Sequence, residues 1–147
     1  MPKNRYGSGV RDWEPFNADV IAEFRANGGE VGGQFAGMPL LLLHTTGAKS
    51  QQPRVNPVAY TTDGDRLVVL ASKGGAPTNP HWYYNLVAQP VVTVEVGTEQ
   101  FQARATIAGE PERTRLFNQM AAARPNFAAY QRNTTRIIPV IVLTRLK

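Results

Sequence analysis

The sequence predicts a mainly β domain in which about six antiparallel strands form a small closed or half-closed barrel, with a few helices outside it. Three observations support this prediction. Apolar β-type runs follow one another between residues 38 and 72 with short turns between them, two more lie between 91 and 107, and a last one covers 137–143. The chain has 147 residues, 42% of them hydrophobic, which suits one domain with its own core.

A short helix is expected near the N-terminus. Asn17 is a suitable N-cap, Phe16 and Ile21 are spaced as a hydrophobic staple, and Gly28-Gly29 supplies a stop. The apolar face that would pack on a sheet consists of Val20, Ile21 and Phe24. We therefore expect one domain over residues 1–147, with residues 1–27 as a helical or flexible extension.

Three strands should follow as a meander. The runs 38–46, 53–62 and 65–72 have β-type composition, and Asp63-Gly64 between the last two is a hairpin signal. Asn79 as N-cap and Pro80 as first helical residue then predict a short helix that ends before Pro90.

The second half repeats this organisation. Two strands are expected between residues 91 and 107, with a turn near Gly97-Thr98, and a helix over 110–123 that has Pro111 in its first turn. A final strand is predicted at 137–143, where Pro139 indicates an edge position or a bulge.

Composition and charge exclude several classes of function. The chain has no cysteine, which excludes disulfides and thiolate chemistry. The net charge of +5 comes from scattered residues with no basic block, so a small anionic ligand is favoured over nucleic acid. No apolar run approaches the roughly 20 residues that cross a bilayer, and we see no signal peptide. We expect a cytoplasmic protein that can touch a membrane only at its surface.

The side chains give little support for hydrolytic chemistry. His44 and His81 lack metal-ligand spacing, and His44 inside an apolar strand is more typical of a satisfied histidine in the core or barrel mouth. Ser50 and Ser72 lack the nucleophile-elbow pattern. The closely spaced acidic residues belong to a hairpin turn and a helix start.

Three loops together predict a ligand that combines anionic groups with a flat ring. GAKSQQPRVNP carries Lys49, Ser50 and Arg54, ASKGG carries Ser72 and Lys73 beside bare backbone, and NPHWYYN supplies a helix N-terminus and aromatic rings. Each piece alone is more typical of a solvated lysine, a covered sheet edge or a core tryptophan. In a meander, however, these turns can converge, and the cations could then meet phosphates or carboxylates.

The same segments carry a resemblance to a known family. The succession G-x-K-[ST]-x-Q-P-R-V-N-P, A-S-K-G-G and N-P-x-W-Y-x-N, at Gly47–Pro57, Ala71–Gly75 and Asn79–Asn85, resembles the deazaflavin-dependent nitroreductases of actinobacteria. The late segment RPNFAAYQRNTTRIIPVIVL is similar to that family's C-terminal aromatic region and last strand. The resemblance covers nearly the whole chain from about Gly28. It implies a split β-barrel, related to the FMN-binding split barrels, that holds coenzyme F420, a 5-deazaflavin with a phosphate and a polyglutamate tail.

The resemblance also implies the site residues. The cofactor contacts fall on Ala48, Lys49, Ser50, Arg54, Val55, Asn56, Pro57, Val58, Ala59, Leu70, Ala71, Ser72, Lys73, His81, Trp82, Tyr83, Tyr84 and Asn85. The substrate side falls on Ser72, Phe127 and Tyr130. Ser72 and Tyr130 are the catalytic candidates, since Tyr130 could hydrogen-bond or protonate a reduced substrate. Ala48 stands where the family often has a basic residue, and Phe127 where a tyrosine occurs.

The implied activity is hydride transfer from reduced F420 to a flat, electron-poor acceptor. A quinone is the expected acceptor, with nitroaromatics such as nitroimidazoles as side substrates. An apolar face around Trp13 and Phe16 could reach a membrane quinone pool. Because the cofactor carries the difficult chemistry, no nucleophile or metal is needed. Two alternatives stay open, namely an FMN-dependent oxidoreductase on the same barrel and a non-catalytic cofactor carrier.

Overall fold

The structure is a computed structural model that describes residues 10–33 and 36–146, with the backbone alone for residues 10–16. Its elements, in chain order, are α1 (Val10–Ala26), β1 (Leu40–Thr46), β2 (Pro53–Asp63), β3 (Arg66–Leu70), a 3-10 turn (Lys73–Gly75), α2 (His81–Ala88), β4 (Val91–Val96), β5 (Glu99–Ile107), α3 (Glu112–Ala123), α4 (Asn126–Arg132) and β6 (Val140–Arg145).

The strands form a closed barrel in the order β1-β2-β3-β6-β5-β4. Every neighbouring pair is antiparallel. The ends of β1, β3 and β5 and the starts of β2, β4 and β6 therefore lie together at one end. We call it the loop end, because it carries the turn 47–52, the loop 71–79 after β3 and the start of α2. The predicted barrel of six antiparallel strands with flanking helices is confirmed.

Alternation along β1 divides the apolar side chains between the inside and the outside of the barrel. Leu41 and Leu43 are fully buried in the interior cluster, which also contains Trp82 from α2. Leu40 and Leu42 face outward and pack on α1. Val20 and Phe24 provide that contact on the helix, so the predicted apolar face does pack on the sheet.

A second helical layer covers β3 and β6 from the outside. Leu116, Phe117 and Met120 of α3 and Phe127 of α4 are buried in one cluster with the outward side chains of the two strands. This cluster fixes α4 at the side of the barrel, with Tyr130 packed against its margin.

Some predicted boundaries are wrong. Helix α1 begins at Val10, so Asn17 lies inside it, because a capping preference is weak and a continuing helix overrides it. The staple side chain Phe16 and the proposed membrane-facing Trp13 lie outside the described side chains. The stop is correct, since Gly28 and Gly29 have φ of 65° and 98°.

Three further boundaries also differ from the prediction. Pro80 is the cap of α2 and not its first residue, since its ψ of 155° is extended. Helix α3 begins at Glu112, two residues after the predicted start. Strand β6 begins at Val140, and Pro139 precedes it, with a carbonyl that accepts from the Ala71 amide at 3.0 Å.

One helix was missed, and the position of His44 was predicted only in part. Helix α4 (Asn126–Arg132) was not recognised, because a segment of seven residues is too short to show a helical pattern of apolar residues. His44 is satisfied, but on the outer wall, where its Nε2 lies 2.5 Å from Glu95 Oε2.

Candidate functional site

The turn 47–52 is attached to α2 by a buried asparagine. Asn85 is only 7% exposed. Its Oδ1 accepts from the Ala48 amide at 2.9 Å and its Nδ2 donates to Thr45 Oγ1 at 3.1 Å. Since both ends of the Asn85 amide are engaged inside the protein, this residue holds the turn against the helix. The Ala48 amide is occupied in the same bond.

The loop after β3 contacts α4 through a glycine. Gly75 has φ of 84°, and a Cβ placed on it would lie 2.8 Å from the Tyr130 carbonyl oxygen. Only glycine allows that backbone approach and that left-handed conformation together. The loop and α4 therefore lie directly side by side, and the predicted convergence of loops extends to the C-terminal aromatic helix.

Ser72 presents a buried hydroxyl without a partner. The residue is 7% exposed, and its side chain makes no hydrogen bond with the residues that the structure describes. A buried hydroxyl without a partner loses its hydration free energy uncompensated. A ligand that bonds to the Ser72 hydroxyl at the loop end would remove that penalty.

Two aromatic side chains follow from α4. The rings of Phe127 and Tyr130 meet edge to face with centroids 5.4 Å apart. Phe127 is buried, whereas Tyr130 is half-buried. The Tyr130 hydroxyl accepts from Asn126 Nδ2 at 3.0 Å, which leaves its own proton free to donate.

The cations at the loop end lack carboxylate partners among the described residues. Lys49 and Arg54 are exposed, and within the described part of the chain they form no ion pair. Among the residues that the structure describes, the polar partner of Lys73 Nζ is a neutral hydroxyl, Thr78 Oγ1 at 3.3 Å. Away from this end, Arg25, Arg66, Arg115 and Arg145 all pair with carboxylates. Positive charge is therefore uncompensated where the loops meet, which suits an anionic ligand.

Strand β2 offers one apolar residue for a ligand wall. Val58 faces the barrel interior, so its alternate neighbours Val55, Pro57 and Ala59 face outward. All three are half-buried, and Val55 and Ala59 lie against the α1 layer. Ala59 also packs against the cluster under α3 and α4, so helices cover this face at Val55 and Ala59. Pro57 packs in neither cluster and is the apolar residue of this face that we assign to a ligand wall.

The predicted residues fall into three groups by exposure. Exposed at the loop end are Ala48, Lys49, Ser50, Arg54, Lys73, His81 and Tyr84. Half-buried are Val55, Asn56, Pro57, Ala59, Tyr83 and Tyr130. Buried are Val58, Leu70, Ala71, Ser72, Trp82, Asn85 and Phe127. Trp82 and Val58 belong to the interior core, and Leu70 to the cluster under α3 and α4, so these three side chains support the site from within.

No sequence pattern singles out Arg136. Its guanidinium donates to the backbone oxygens of Ala71, Ser72 and Ala76. A single arginine before an apolar strand is usually a solvated residue, and only the folded path of the loop shows which oxygens it reaches.

The residues of the loop end fit the cofactor that the resemblance implies. A buried hydroxyl and cations without partners among the described residues, a glycine turn and the apolar Pro57 match a planar heterocycle with an anionic tail. Among the residues that the structure describes, no three His, Asp or Glu side chains are grouped as a metal site would need, and no helix is long and apolar enough to cross a membrane.

Barrel and site together define a split-barrel protein that binds an anionic, ring-containing small molecule. The chain belongs to the F420H2-dependent quinone reductase family, whose sequence profile matches residues 18–145. The family is one of oxidoreductases that use coenzyme F420, so the implied cofactor and enzyme class are confirmed.

Named relatives agree with this assignment. An F420H2-dependent quinone reductase of Mycobacterium tuberculosis strain H37Rv is 43% identical over 128 residues, which are 84% of this chain and 86% of the relative. A solved F420H2-dependent reductase (FDR-A) has a TM-score of 0.66 and 36% identity, covering 71% of this chain and 93% of its own. A solved chain described as a domain-swapped dimer has a TM-score of 0.68 and 32% identity, over 90% and 98% of the two chains.

Proposed function

We propose that the loop end of this barrel holds reduced coenzyme F420 beside Pro57 of β2 and transfers its hydride to a quinone. Membership of the F420H2-dependent quinone reductase family gives the reaction class. The observation that carries the proposal for this chain is the buried, unpartnered Ser72 hydroxyl beside uncompensated cations. A planar cofactor with an anionic tail satisfies both features at once.

Each element of the site has a separate binding task. Lys49 and Arg54 are placed for the phosphate and carboxylates of the tail, where paired charges and hydrogen bonds reinforce each other. Pro57 supplies an apolar contact for the ring, and the Ser72 hydroxyl bonds to a polar atom of the ring or the acceptor. When bound, F420H2 supplies the hydride. The task of the chain's own residues is to hold the ring and the acceptor, to orient them and to exclude water.

The α4 residues are proposed to form the acceptor side. Phe127 and Tyr130 lie next to the ASKGG loop because Gly75 lets α4 approach it. A quinone that takes up a hydride needs one proton to become a hydroquinone, and the Tyr130 hydroxyl has its proton free. Tyr130 is therefore placed to donate that proton to the acceptor oxygen.

We infer the finer range of acceptors from their chemistry. Nitroaromatics share the flat, electron-poor character of quinones, so we expect turnover with them as side substrates. A membrane quinone would require contact with a lipid surface, which the net charge of +5 favours for anionic lipid. Binding to anionic vesicles but not to neutral ones would support that contact.

Spectroscopic titration tests the proposal directly. The purified protein should bind F420 and not FMN, and it should oxidise F420H2 when a quinone such as menadione is added. Tight binding of FMN with a flavin-dependent turnover would instead identify an FMN oxidoreductase. Binding of F420 with no consumption of F420H2 across quinones and nitroaromatics would identify a carrier.

A further inference from the structure

Arg136 lies in the segment between α4 and β6 and points under the ASKGG loop. Its Nε donates to Ala76 O at 2.9 Å, Nη1 to Ala71 O at 3.1 Å and Nη2 to Ser72 O at 2.7 Å. Nη1 also donates to Asn79 Oδ1 at 2.7 Å, next to the start of α2. One planar side chain thus holds four oxygens of the loop 71–79.

No carboxylate in the described part of the chain contacts this guanidinium. Burial lowers the pKa of Arg136 from its usual value, yet an arginine in a protein stays charged. The carbonyl dipoles of the loop are its bonding partners, so the positive charge is solvated by the loop itself. An uncompensated cation of this kind lies directly behind Ser72.

The segment that carries Arg136 is itself fixed by α3 and α4. Gln131 Nε2 donates to Arg136 O at 2.7 Å, and Gln131 Oε1 accepts from the Ile138 amide at 3.0 Å. Arg113 of α3 donates to Ile138 O at 2.8 Å and to Gln131 Oε1 at 2.9 Å. Gln131 follows Tyr130 directly, so the acceptor-side helix and the cofactor loop are tied to one backbone segment.

The bonds of Arg136 act on the peptide groups at Ser72. The Ala71 carbonyl shares a peptide group with the Ser72 N–H, and the Ser72 carbonyl with the Lys73 N–H. A hydrogen bond to the carbonyl polarises the group and strengthens the N–H at its other end. Neither N–H donates to a backbone carbonyl of the described residues, and Ser72 in the right-handed region followed by Lys73 at φ of 48° forms an amide concavity of the anion-binding kind.

We propose that Arg136 is a positioning residue, which sets Ser72 against α4 and polarises the Ser72 and Lys73 amides toward the ligand. The inference rests on the proposed function, which gives Ser72 and Tyr130 their roles. Arg136 would set the position of Ser72 relative to Tyr130 without itself being one of the residues proposed to contact the cofactor or the acceptor. Lysine cannot replace the guanidinium, since an ammonium lacks the planar fork that reaches several carbonyls at once.

Arg136→Lys is the central variant, and Arg145→Lys is its matched control. Arg145 pairs with exposed Glu99 at the far end of the barrel. In the protein without cofactor, hydrogen exchange should accelerate over residues 71–79 in Arg136→Lys and stay unchanged over β1. In the control, exchange should stay unchanged over both segments. Because displacement of about 1 Å can cost a factor of a hundred, kcat should fall on the order of ten- to hundredfold, with a smaller change in the KM for the quinone.

Non-additivity separates positioning from general destabilisation. Ser72→Ala should lower kcat in the wild-type background and have little further effect in Arg136→Lys, because Ser72 is already misplaced there. Millimolar guanidinium should partly restore kcat to Arg136→Ala. Asn79→Ala, which removes one of the four acceptors, should give a smaller loss of the same kind and serves if the Arg136 variants do not fold.

The inference is overturned if exchange over 71–79 and kcat of Arg136→Lys both match the wild-type protein. It is also overturned if Ser72→Ala lowers kcat by the same factor in both backgrounds. Failure of the proposed function has another signature, namely a wild-type protein that binds no F420 or oxidises no F420H2. The exchange experiment needs neither cofactor nor acceptor, so the two failures are distinguishable.

Discussion

At the scale of single residues, the site is defined by what its polar groups lack. Ser72 is buried with a hydroxyl that no described residue bonds, and Lys49 and Arg54 are cations without carboxylate partners in the described chain. Asn85 also lies in one of the three motif segments, but its side-chain amide is already hydrogen-bonded to Thr45 and to the Ala48 N–H. Unsatisfied groups therefore indicate candidate ligand contacts that motif membership alone does not distinguish.

Lys49→Ala and Arg54→Ala should each weaken F420 binding on the order of tenfold, the value of one charge-assisted hydrogen bond. Each should also reduce the salt dependence of the dissociation constant, because one ionic contact is lost. Fluorescence titration between low and moderate salt measures both. Arg145→Ala, equal in charge change but at the far barrel end, is the control, and the anion-site assignment is wrong if all three variants behave alike.

Tyr130→Phe should leave the F420 dissociation constant unchanged and lower kcat for a quinone by roughly 10²-fold or more, the usual size of a general-acid contribution. The ring and its edge-to-face contact with Phe127 are retained, so only the proton donor is removed. Single-turnover oxidation of F420H2 with menadione measures the step. A loss of cofactor affinity would instead move Tyr130 to the cofactor side.

At the scale of elements, sequence patterns predicted what depends on local periodicity and missed what depends on contact. The six strands follow from alternation and turn residues. Helix α4 (Asn126–Arg132) does not follow from any local pattern. It is held in place by Phe127, which packs in a cluster with residues far away in the sequence. In the same way, ASKGG predicted a turn with ligand contacts, but nothing local shows that Gly75 is pressed against Tyr130.

The Gly75 contact gives a prediction with an internal control. In Gly75→Ala, the backbone is strained at φ of 84° and the new Cβ lies 2.8 Å from a backbone oxygen. In Gly74→Ala, the backbone is strained at φ of 63°, but the space around the Cβ is open. We expect Gly74→Ala to cost about 1 kcal/mol of unfolding free energy and Gly75→Ala to cost about 1–3 kcal/mol more. Urea unfolding gives the difference, and equal values would show that α4 does not depend on the approach.

A second contact between elements depends on pH. Glu95 of β4 binds Arg25 of α1 at 2.7 Å and His44 of β1 at 2.5 Å. The hydrogen bond from Arg25 lowers the pKa of Glu95 below its usual 4.5, against the opposing effect of burial. A lowered folded-state pKa contributes stability that is present above the unfolded value and is lost as the pH falls through the folded value.

Glu95→Gln should therefore reduce the unfolding free energy by about 1 kcal/mol at pH 7, since Arg25 is half exposed and screened. The loss of stability between about pH 5 and pH 3 should become smaller than in the wild-type protein. Thermal unfolding across that range measures it. Glu99→Gln, whose partner Arg145 and own side chain are exposed, should change neither quantity appreciably, and identical curves for Glu95→Gln and wild type would contradict the assignment.

At the scale of the whole molecule, paired charges and the proposed ligand groups lie at opposite ends of one barrel. The end opposite the loop end, where β2 turns into β3, carries paired charges, such as Asp63 with Arg66 and Arg115. At the loop end, Lys49, Arg54 and the Ser72 hydroxyl have no such partner among the described residues. The closed order of strands supplies the rigidity, so the loop end can retain unfavourable groups that we propose a ligand satisfies.

This division predicts that ligand binding stabilises the entire protein. At F420 concentrations about 100 times the dissociation constant, binding contributes about 2.7 kcal/mol, which for a domain of this size corresponds to a rise in Tm of roughly 5–10 °C. FMN, which lacks the polyglutamate tail, should give no comparable rise, and added salt should reduce the F420 effect because the unpaired cations carry part of it. Thermal scans with each ligand at two salt concentrations measure these changes in Tm. If FMN raises the Tm equally, or if salt does not change the rise with F420, the binding energy comes from the ring pocket alone. The loop-end cations then do not have the role assigned to them.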